Sequence, residues 1–316
     1  MYLSCDFGNR RFCHHCNIRV ISMDVRIYDR INKNIYLEKQ FRNQELIFLY
    51  NSFIGRIMLN LIIKQRWFSK IYSLTNKRKK SISKIEPFIK EYDIDMSDFE
   101  PCEYQSFNDF FIRKIALDKR IVSTQTNALI AVSDAKLSAY SINEELSLAI
   151  KGNSYTIDSL LKDEMLSHEF KNGTCLVFRL TVDDYHRYCF PDEGKIVGQK
   201  EIFGCLHTVG PISAQEYKVF SENHRKYVIL ETQNFGKIIQ MEIGALLVGK
   251  IVNNEITNFR KGMEKGYFEF GGSTIILLFK EGTVKIDEDI IKHSSENIET
   301  RVRFGEKIGE SYDKTS

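Results

Sequence analysis

The chain has 316 residues, of which 43% are hydrophobic, and a formal net charge of +3. It is long enough to bury a full core in one large domain or two, and so mild a charge gives no reason to expect a nucleic-acid partner. The longest apolar run in its N-terminal third, Ile57–Ile63, is far shorter than the ~20 residues that a membrane-spanning helix requires.

The first 22 residues contain no secretory hydrophobic segment, and the seven cysteines of the chain are scattered. Both features indicate a reducing, cytoplasmic compartment. Cys13-His14-His15-Cys16, with Cys5 upstream, resembles half of a zinc knuckle, but no second ligand pair follows at a suitable spacing, so we predict no metal site. We expect residues 1–22 to be a disordered extension, with translation starting at either Met1 or Met23.

Residues 23–117 are predicted to be mainly helical. A short hairpin is expected over 25–39, and apolar residues spaced three and four apart then predict a helix over 43–75. This helix contains Trp67, carries cations along its edge and leads into Lys77–Lys80. Such a segment suits the surface of an anionic membrane, but it equally fits an amphipathic helix that packs on its own domain.

Residues 118–316 have the pattern of a β-rich domain. Short runs of β-branched and aromatic residues alternate with Gly, Asn and Asp. We therefore predict an α+β fold in which the helical region precedes a mostly antiparallel β sandwich or open barrel, interrupted by one helix at 156–170. The predicted strands are Leu129–Val132, Leu137–Ile142, Cys175–Leu180, Lys195–Phe203, Tyr227–Glu231, Ile238–Ile243, Leu246–Val252, Tyr267–Phe270 and Thr274–Phe279.

Four polar or glycine-containing stretches follow or join these strands: Val132–Lys136, Asp183–Pro191, Gly204–Pro211 and Gly271–Thr274. Taken alone, Gly271-Gly272-Ser273-Thr274 is most simply a hairpin turn. In this order, and with the aromatic block Phe107–Arg113, the stretches resemble phosphatidylserine decarboxylase over about residues 25–308.

The resemblance implies a proenzyme that cuts itself between Gly272 and Ser273 into a β chain, 1–272, and an α chain, 273–316, which stay together as a heterodimer. Ser273 would become a pyruvoyl group, the electron sink with which the family converts phosphatidylserine to phosphatidylethanolamine and CO₂. Asp134 matches the family's charge-relay aspartate. His186 matches the first histidine of the pattern Tyr-His-Arg-x-His-x-Pro and is expected to donate a proton with a near-neutral pKa.

Cys189 stands where that pattern has its second histidine, the usual base for activating the serine. A thiol with an ordinary pKa of about 8.5 is a poor base at neutral pH. Three interpretations follow: Cys189 acts as a thiolate beside Arg187, His186 or His207 replaces it, or processing is slow or absent. In the last case the chain would be an impaired family member that binds anionic lipid. A serine hydrolase using the same serine, histidine and aspartate is a further alternative, although no Gly-x-Ser-x-Gly elbow is present.

A lipid substrate favours the membrane interpretation of residues 43–80, with the Lys77–Lys80 cluster attracted to phosphatidylserine. The resemblance thus implies a peripheral protein on the cytoplasmic face of the cell membrane. Phe190 and Phe270 are candidates for lining an apolar pocket around the reacting carboxylate. A further homo-oligomer is left open.

Overall fold

The computed structural model describes residues 10–12, 19–21, 25–38, 43–145, 147–150, 153–209, 213, 217–247, 250–271 and 273–312. In the first 22 residues it contains two short strands, β1 (Arg10–Phe12) and β2 (Arg19–Ile21), which pair antiparallel. The disordered extension and the choice of start codon stay predictions, and the cysteine–histidine knuckle lies outside the described residues.

The predicted hairpin is confirmed as β3 (Arg26–Asp29) and β4 (Asn34–Leu37), with Lys33 at φ 51° in the turn. The prediction of one continuous helix over 43–75 is wrong, because the segment is broken into several helices. Ser52 has an extended backbone and its hydroxyl accepts a hydrogen bond from the Gly55 N–H, which starts a new helix. The segments are α1 (Asn43–Asn51), α2 (Phe53–Met58), a π-helix (Leu59–Ile63) and α3 (Arg66–Asn76).

Short helices complete the region before the sheet: a 3₁₀ turn at Lys79–Lys84, α4 (Ile85–Tyr92), a 3₁₀ turn at Met96–Asp98 and α5 (Phe107–Phe111). The aromatic residues of α5 are buried, as their spacing predicts. Within the described part of the chain, no single helix is long and apolar enough to cross a bilayer. Two consecutive segments, Gln44–Asn51 and Phe53–Ile63, reach that length and hydropathy only when taken together, and an 85° bend separates them.

The strands that follow are β5 (Ala128–Ile130), β6 (Ala135–Ser141), β7 (Ser147–Ile150), β8 (Asn153–Thr156), β9 (Thr174–Leu180), β10 (Arg187–Cys189), β11 (Gly194–Ile202), β12 (Arg225–Thr232), β13 (Gly236–Gly244), β14 (Ile251–Asn253), β15 (Asn258–Phe259), β16 (Glu264–Phe268), β17 (Ser273–Phe279), β18 (Val284–Ile286), β19 (Glu299–Val302) and β20 (Lys307–Ser311). The helices among them are α6 (Ile157–Leu161), α7 (Glu164–His168), α8 (Val219–Glu222) and α9 (Glu288–Ser295). The helix predicted at 156–170 is therefore two short helices, divided at Lys162, which has φ 50°.

Ten of the described strands form the main sheet, in the order β15-β11-β12-β13-β17-β9-β6-β19-β3-β4. Its neighbours are antiparallel except for β19 and β3, which run parallel. Smaller sheets have the orders β10-β16-β14 and β18-β20-β5. The predicted α+β class with a mostly antiparallel sheet is confirmed.

Both faces of the main sheet are covered, so the side chains on both faces of its central strands are apolar. Ile275, Leu277 and Phe279 of β17 join one buried cluster, while Ile276 and Leu278 join the other. The first cluster also contains Tyr188 and Cys189 of β10 and Phe268 of β16, so the small sheet β10-β16-β14 packs on that face.

Candidate active site

Ser273 is the first residue of β17, in the interior of the main sheet. It pairs with Gly244 of β13 and Leu180 of β9. The side chain is fully buried, and its Oγ has no hydrogen-bond partner among the described residues. A buried hydroxyl without a described partner is not tied to another of these groups, so it is available as a nucleophile. Gly271, just upstream, has φ 136°, a conformation that favours glycine, whereas Gly272 lies outside the described residues.

His186 is also fully buried, with its ring centred 4.1 Å from that of Phe111. Its Nδ1 lies 2.9 Å from the Asp184 carbonyl oxygen. A carbonyl only accepts, so Nδ1 carries the proton and Nε2 presents a lone pair. No described residue hydrogen-bonds to Nε2. In this tautomer, Nε2 of the neutral imidazole is free to accept a proton.

The near-neutral pKa expected for His186 is wrong for this structure. Burial, with a smaller contribution from the positive charge of Arg113, lowers the pKa of His186 to about 3. The imidazole is therefore neutral at physiological pH and suited to accept a proton. It is not, in the uncut chain, an acid.

The thiolate interpretation of Cys189 is also wrong. Cys189 lies in the apolar cluster beneath the sheet, and burial raises the pKa of its thiol well above the ordinary value. Arg187, the cation proposed to lower that pKa, instead pairs with Glu264 at 2.9 Å. Cys189 therefore acts as a buried core side chain and not as a base.

Strand register separates Cys189 from Ser273. The Cys189 carbonyl accepts a hydrogen bond from Gln240 Nε2 at 3.1 Å. Gln240 precedes Gly244, the partner of Ser273, by four positions on β13, which corresponds to about 13 Å at ~3.3 Å per residue. The thiol and the hydroxyl therefore lie over different parts of the sheet.

His186 lies toward the Ser273 end of the same face. Lys265 of β16 forms an ion pair with Glu242 of β13 at 2.7 Å. Glu242 lies two residues nearer to Gly244 than Gln240, which contacts Cys189. Phe268, further along β16, donates its N–H to the His186 carbonyl at 3.0 Å. The order of these contacts places His186, and not Cys189, at the end of the sheet where β17 begins.

Asp134 has a different partner from the one expected. Its carboxylate forms an ion pair with Arg120 at 2.7 Å and accepts the Phe304 N–H at 2.7 Å. A hydrogen bond between Asp134 and a histidine is not found among the described residues, so a relay role for this aspartate stays a prediction.

His207, the other candidate base, lies elsewhere. Its ring is buried and stacks on Tyr217 at 4.0 Å, and its Nε2 is 4.0 Å from the Glu222 carboxylate. Burial, followed by the charge of Lys64, lowers the pKa of His207 to about 4. Its free nitrogen faces α8 rather than β17.

Two supporting groups were missed from the sequence. Asp184, whose carbonyl fixes the His186 tautomer, has a buried carboxylate paired with Lys136 at 2.7 Å. Burial raises the pKa of Asp184 to about 6, so the carboxylate is still charged at pH 7. The signal available was the pair Asp183-Asp184 directly before the Tyr-His-Arg motif.

The second missed group is the aromatic wall from α5. Phe111, which covers His186, has its ring centred 5.0 Å from Phe270, and the Phe270 N–H donates to Asn108 Oδ1 at 3.2 Å. Phe270 thus lies beside the site, whereas Phe190 stacks on Phe259 at 4.1 Å in the core. The pocket expectation is supported for Phe270 and not for Phe190.

Known proteins resemble this chain over nearly its whole length. The sequence model described as phosphatidylserine decarboxylase matches residues 107–310. The chain is 58% identical to phosphatidylserine decarboxylase proenzyme 2 of Clostridium acetobutylicum over 291 residues, which cover 92% of this chain and 100% of that protein. It is 41% identical to the phosphatidylserine decarboxylase proenzyme of a Clostridium botulinum strain, covering 90% of this chain and 99% of the relative. The corresponding proenzyme of Clostridium tetani is 38% identical over 294 residues, with 91% and 99% covered. The chain therefore belongs to the phosphatidylserine decarboxylase family.

Proposed function

We propose that this protein is a proenzyme that cuts itself between Gly272 and Ser273 and then decarboxylates phosphatidylserine to phosphatidylethanolamine and CO₂. The observation that carries the proposal is the Ser273 hydroxyl, which is buried and without a partner among the described residues. It stands at the junction where the family's proenzymes would be cut, and a neutral imidazole lies on the same side of the sheet.

The first step uses only groups of this chain. Ser273 Oγ attacks the Gly272 carbonyl carbon, and His186 Nε2 takes the hydroxyl proton. The C–N bond of the peptide breaks, and the nitrogen of residue 273 leaves with a proton. Elimination across Cα–Cβ of residue 273 then releases the Gly272 carboxylate, and hydrolysis releases ammonia and leaves a pyruvoyl group.

The surroundings of Ser273 fit such a group. Phe111 and Phe270 pack against each other beside the junction, and apolar side chains there would favour loss of a charged carboxylate as neutral CO₂. Once formed, the pyruvoyl group supplies an electron sink next to its own amide carbonyl. His186 is the candidate to return a proton to the substrate carbon, because the order of contacts along β16 puts it toward the end of the sheet that contains Ser273.

The two roles of His186 require different protonation states. In the uncut chain burial keeps the ring neutral, as a base must be. The cut creates a new carboxylate at residue 272, and an anion in a low-dielectric site raises the pKa of a nearby imidazole. Self-cleavage would thereby convert His186 from a base into an acid.

Association with a membrane is supported by α3, whose amphipathicity is inverted. The fully buried positions are polar: Ser69, Ser73 and Asn76 are 0%, 3% and 1% exposed, while Tyr72 is half-buried against the cluster that contains Phe270. The side facing outward is apolar: Trp67, Ile71 and Leu74 are 53%, 55% and 52% exposed. A helix packed on its own domain has the opposite arrangement, so α3 is suited to a lipid surface.

The apolar surface extends to the preceding helices, where exposed residues include Phe48, Phe53, Ile54, Ile57, Met58, Leu61 and Ile62. Of the basic cluster, Lys77 is held by Glu269 at 2.7 Å, which leaves Arg78, Lys79 and Lys80 as exposed cations for anionic lipid. We propose a peripheral protein on the cytoplasmic side of the cell membrane. A homo-oligomer stays a prediction without further support.

Intact mass of the purified protein tests the proposal. We expect two fragments, residues up to 272 and residues 273–316, with the small one lighter by one ammonia than a chain starting with serine. Ser273→Ala should stay uncut. Thr274→Val is the matched control: this adjacent hydroxyl is also buried and unpartnered among the described residues, but it lies on the opposite face of β17, so its loss should leave cleavage intact.

The alternatives give different results. An uncut wild-type chain that binds anionic vesicles would identify an impaired family member. An uncut chain that is labelled by a fluorophosphonate at Ser273 would identify a serine hydrolase. Cleavage that survives Ser273→Ala would place the scissile bond elsewhere.

A further inference from the structure

The stretch Gly204–Thr208 packs directly against α8, on the side of the domain that faces the helical region. A Cβ on Gly204 would lie 2.1 Å from the Glu222 carbonyl oxygen, so only glycine permits this approach. The Cys205 N–H donates to that oxygen at 3.2 Å, and the Cys205 carbonyl accepts the His224 N–H at 2.9 Å. This parallel bridge fixes the positions of the loop and the end of α8.

Three side chains of different chemistry meet there. Cys205 and His207 lie on either side of the buried Leu206 along the loop. The Cys205 thiol, a ring nitrogen of His207 and a Glu222 carboxylate oxygen all lie within 4.8 Å of one another. His207 Nε2 and Glu222 Oε2 are 4.0 Å apart.

The surrounding contacts orient each of these groups. His207 is fully buried, and its Nε2 has no hydrogen-bond partner among the described residues. Its Nδ1 lies 3.4 Å from the Tyr50 hydroxyl, so Nε2 is the ring nitrogen that faces the cluster, and a metal ion there would take the place of any proton on it. The other oxygen of Glu222, Oε1, accepts the Lys218 N–H at 3.3 Å, so Oε2 faces the imidazole.

We propose that Cys205, His207 and Glu222 bind one zinc ion. Thiolate, imidazole and carboxylate are the ligands that zinc prefers, and three of them leave a fourth position for water. With bonds of about 2.0–2.3 Å, tetrahedral ligand atoms lie about 3.5 Å apart. The donor atoms therefore need to approach one another only slightly. Part-exposure of Cys205 and Glu222 provides a path for the ion.

The competing cation is Lys64, whose charge acts on both Cys205 and His207. Its carbonyl oxygen accepts the Leu206 N–H at 2.9 Å, so this end of the helical region is already fixed to the loop. Zinc would replace the thiol proton and shift the ammonium toward solvent. The proposal thus predicts that a bound ion holds the helical region more firmly on the sheet.

The location favours a structural ion. Asn223, next to Glu222, donates to the His207 and Gly244 carbonyls, both at 2.8 Å. Gly244 is the residue opposite Ser273. An ion here would stabilise the strand partner of the cleavage junction on one side and the lipid-facing helices on the other, without contacting the reacting atoms.

Cobalt(II) is the probe, because a thiolate ligand gives it a near-ultraviolet charge-transfer band and tetrahedral geometry gives it intense visible bands. The protein should be untagged and full length, with Cys5, Cys13 and Cys16 replaced by serine so that the N-terminal knuckle does not contribute. We expect one equivalent of cobalt per chain, displaced by one equivalent of zinc, and a higher unfolding temperature with either metal.

Cys205→Ser should abolish the charge-transfer band, whereas Cys102→Ser, which alters an exposed free cysteine, should retain it. Glu222→Gln changes a side chain that is 44% exposed and should fold normally. It should weaken cobalt binding by more than about ten-fold, since even an outer-shell partner of a metal ligand is worth that much. A band that is absent from the parent, or that survives Cys205→Ser, would overturn the proposal. So would unchanged affinity in Glu222→Gln.

Discussion

Replacing the outward apolar side chains of α3 should release the protein from lipid without unfolding it. Ile71 and Leu74 are 55% and 52% exposed, so about half of each side chain is left for the membrane. Fully burying such a side chain is worth about 1.5–3 kcal/mol, so half burial of both contributes about 2 kcal/mol. At ~1.4 kcal/mol per factor of ten, Ile71→Ser with Leu74→Ser should weaken vesicle binding about 30-fold.

The assay is sedimentation with vesicles of phosphatidylserine and phosphatidylcholine at physiological salt. Met165→Ser is the matched control, because Met165 is 85% exposed on α7, outside the helical region. We expect the control to bind as the wild type does.

The double variant should lose only about 1–2 kcal/mol of stability, since about half of each side chain is buried and Ser is a weaker helix former than Leu. A larger fall in stability with unchanged vesicle affinity would show that this side of α3 packs against protein. An equal loss of binding in Met165→Ser would show that apolar exposure in general, and not α3, controls the interaction.

Three further substitutions test the reasoning about the site. Cys189→Ala should leave self-cleavage complete on a denaturing gel and cost about 1 kcal/mol of stability, because the thiol packs in the core; persistent full-length chain would restore a chemical role for it. His186 binds a proton near pH 6.5 when unfolded but only near pH 3 when buried, so below about pH 6.5 its contribution to stability is lost at up to ~1.4 kcal/mol per pH unit. Urea denaturation should show a shallower acid dependence for His186→Gln than for its parent when both carry Ser273→Ala, which keeps the chain uncut. Parallel curves would refute the buried neutral state. Lys265→Met should cost about 3–5 kcal/mol because it strands the buried Glu242, and adding Glu242→Leu should recover most of that loss; equal denaturation midpoints for the single and double variants would contradict the coupling.

The strands of the catalytic region were predictable because each carries its own signal. β17 and β9 are short apolar runs bounded by glycine or polar residues, and the structure places them within a few residues of the prediction. The predicted strand at 246–252 begins only at Ile251, because Leu247 takes φ 69°, a backbone state that an apolar pattern does not reveal.

The helical region shows what periodicity leaves undetermined. The spacing of apolar residues identifies which side chains share one side of a helix, but not which side is buried. In α3 the buried side is the polar one, set by contacts such as that of Ser73 with Glu269 at 3.4 Å, nearly 200 positions away along the chain. The break at Ser52 was missed because it depends on a capping hydrogen bond rather than on hydrophobicity.

The candidate site was located by motif, but its chemistry was not. The motif pattern identified His186 and Ser273, yet the pKa of His186 depends on burial beneath Phe111, which lies 75 positions earlier in the chain. The substitution at 189 looked like the loss of a base. The fold shows it as a core residue, and that distinction required the register of β10 on the main sheet.

The two sides of the proposed cleavage junction are anchored to different parts of the molecule. Upstream, Glu269 pairs with Lys77, and the Phe270 N–H donates to Asn108, so this segment is held by the helical region. Downstream, all seven residues of β17 pair with β13 on one side and β9 on the other. Breaking the peptide bond proposed to be cut between these anchors would free neither end, because the backbone ladder would hold the small fragment in the sheet. The carboxylate that such a cut creates would follow Phe270 in the chain, and we propose that it raises the pKa of His186. The anchoring that keeps the fragments together would then also supply the change in charge that the proposed second reaction requires.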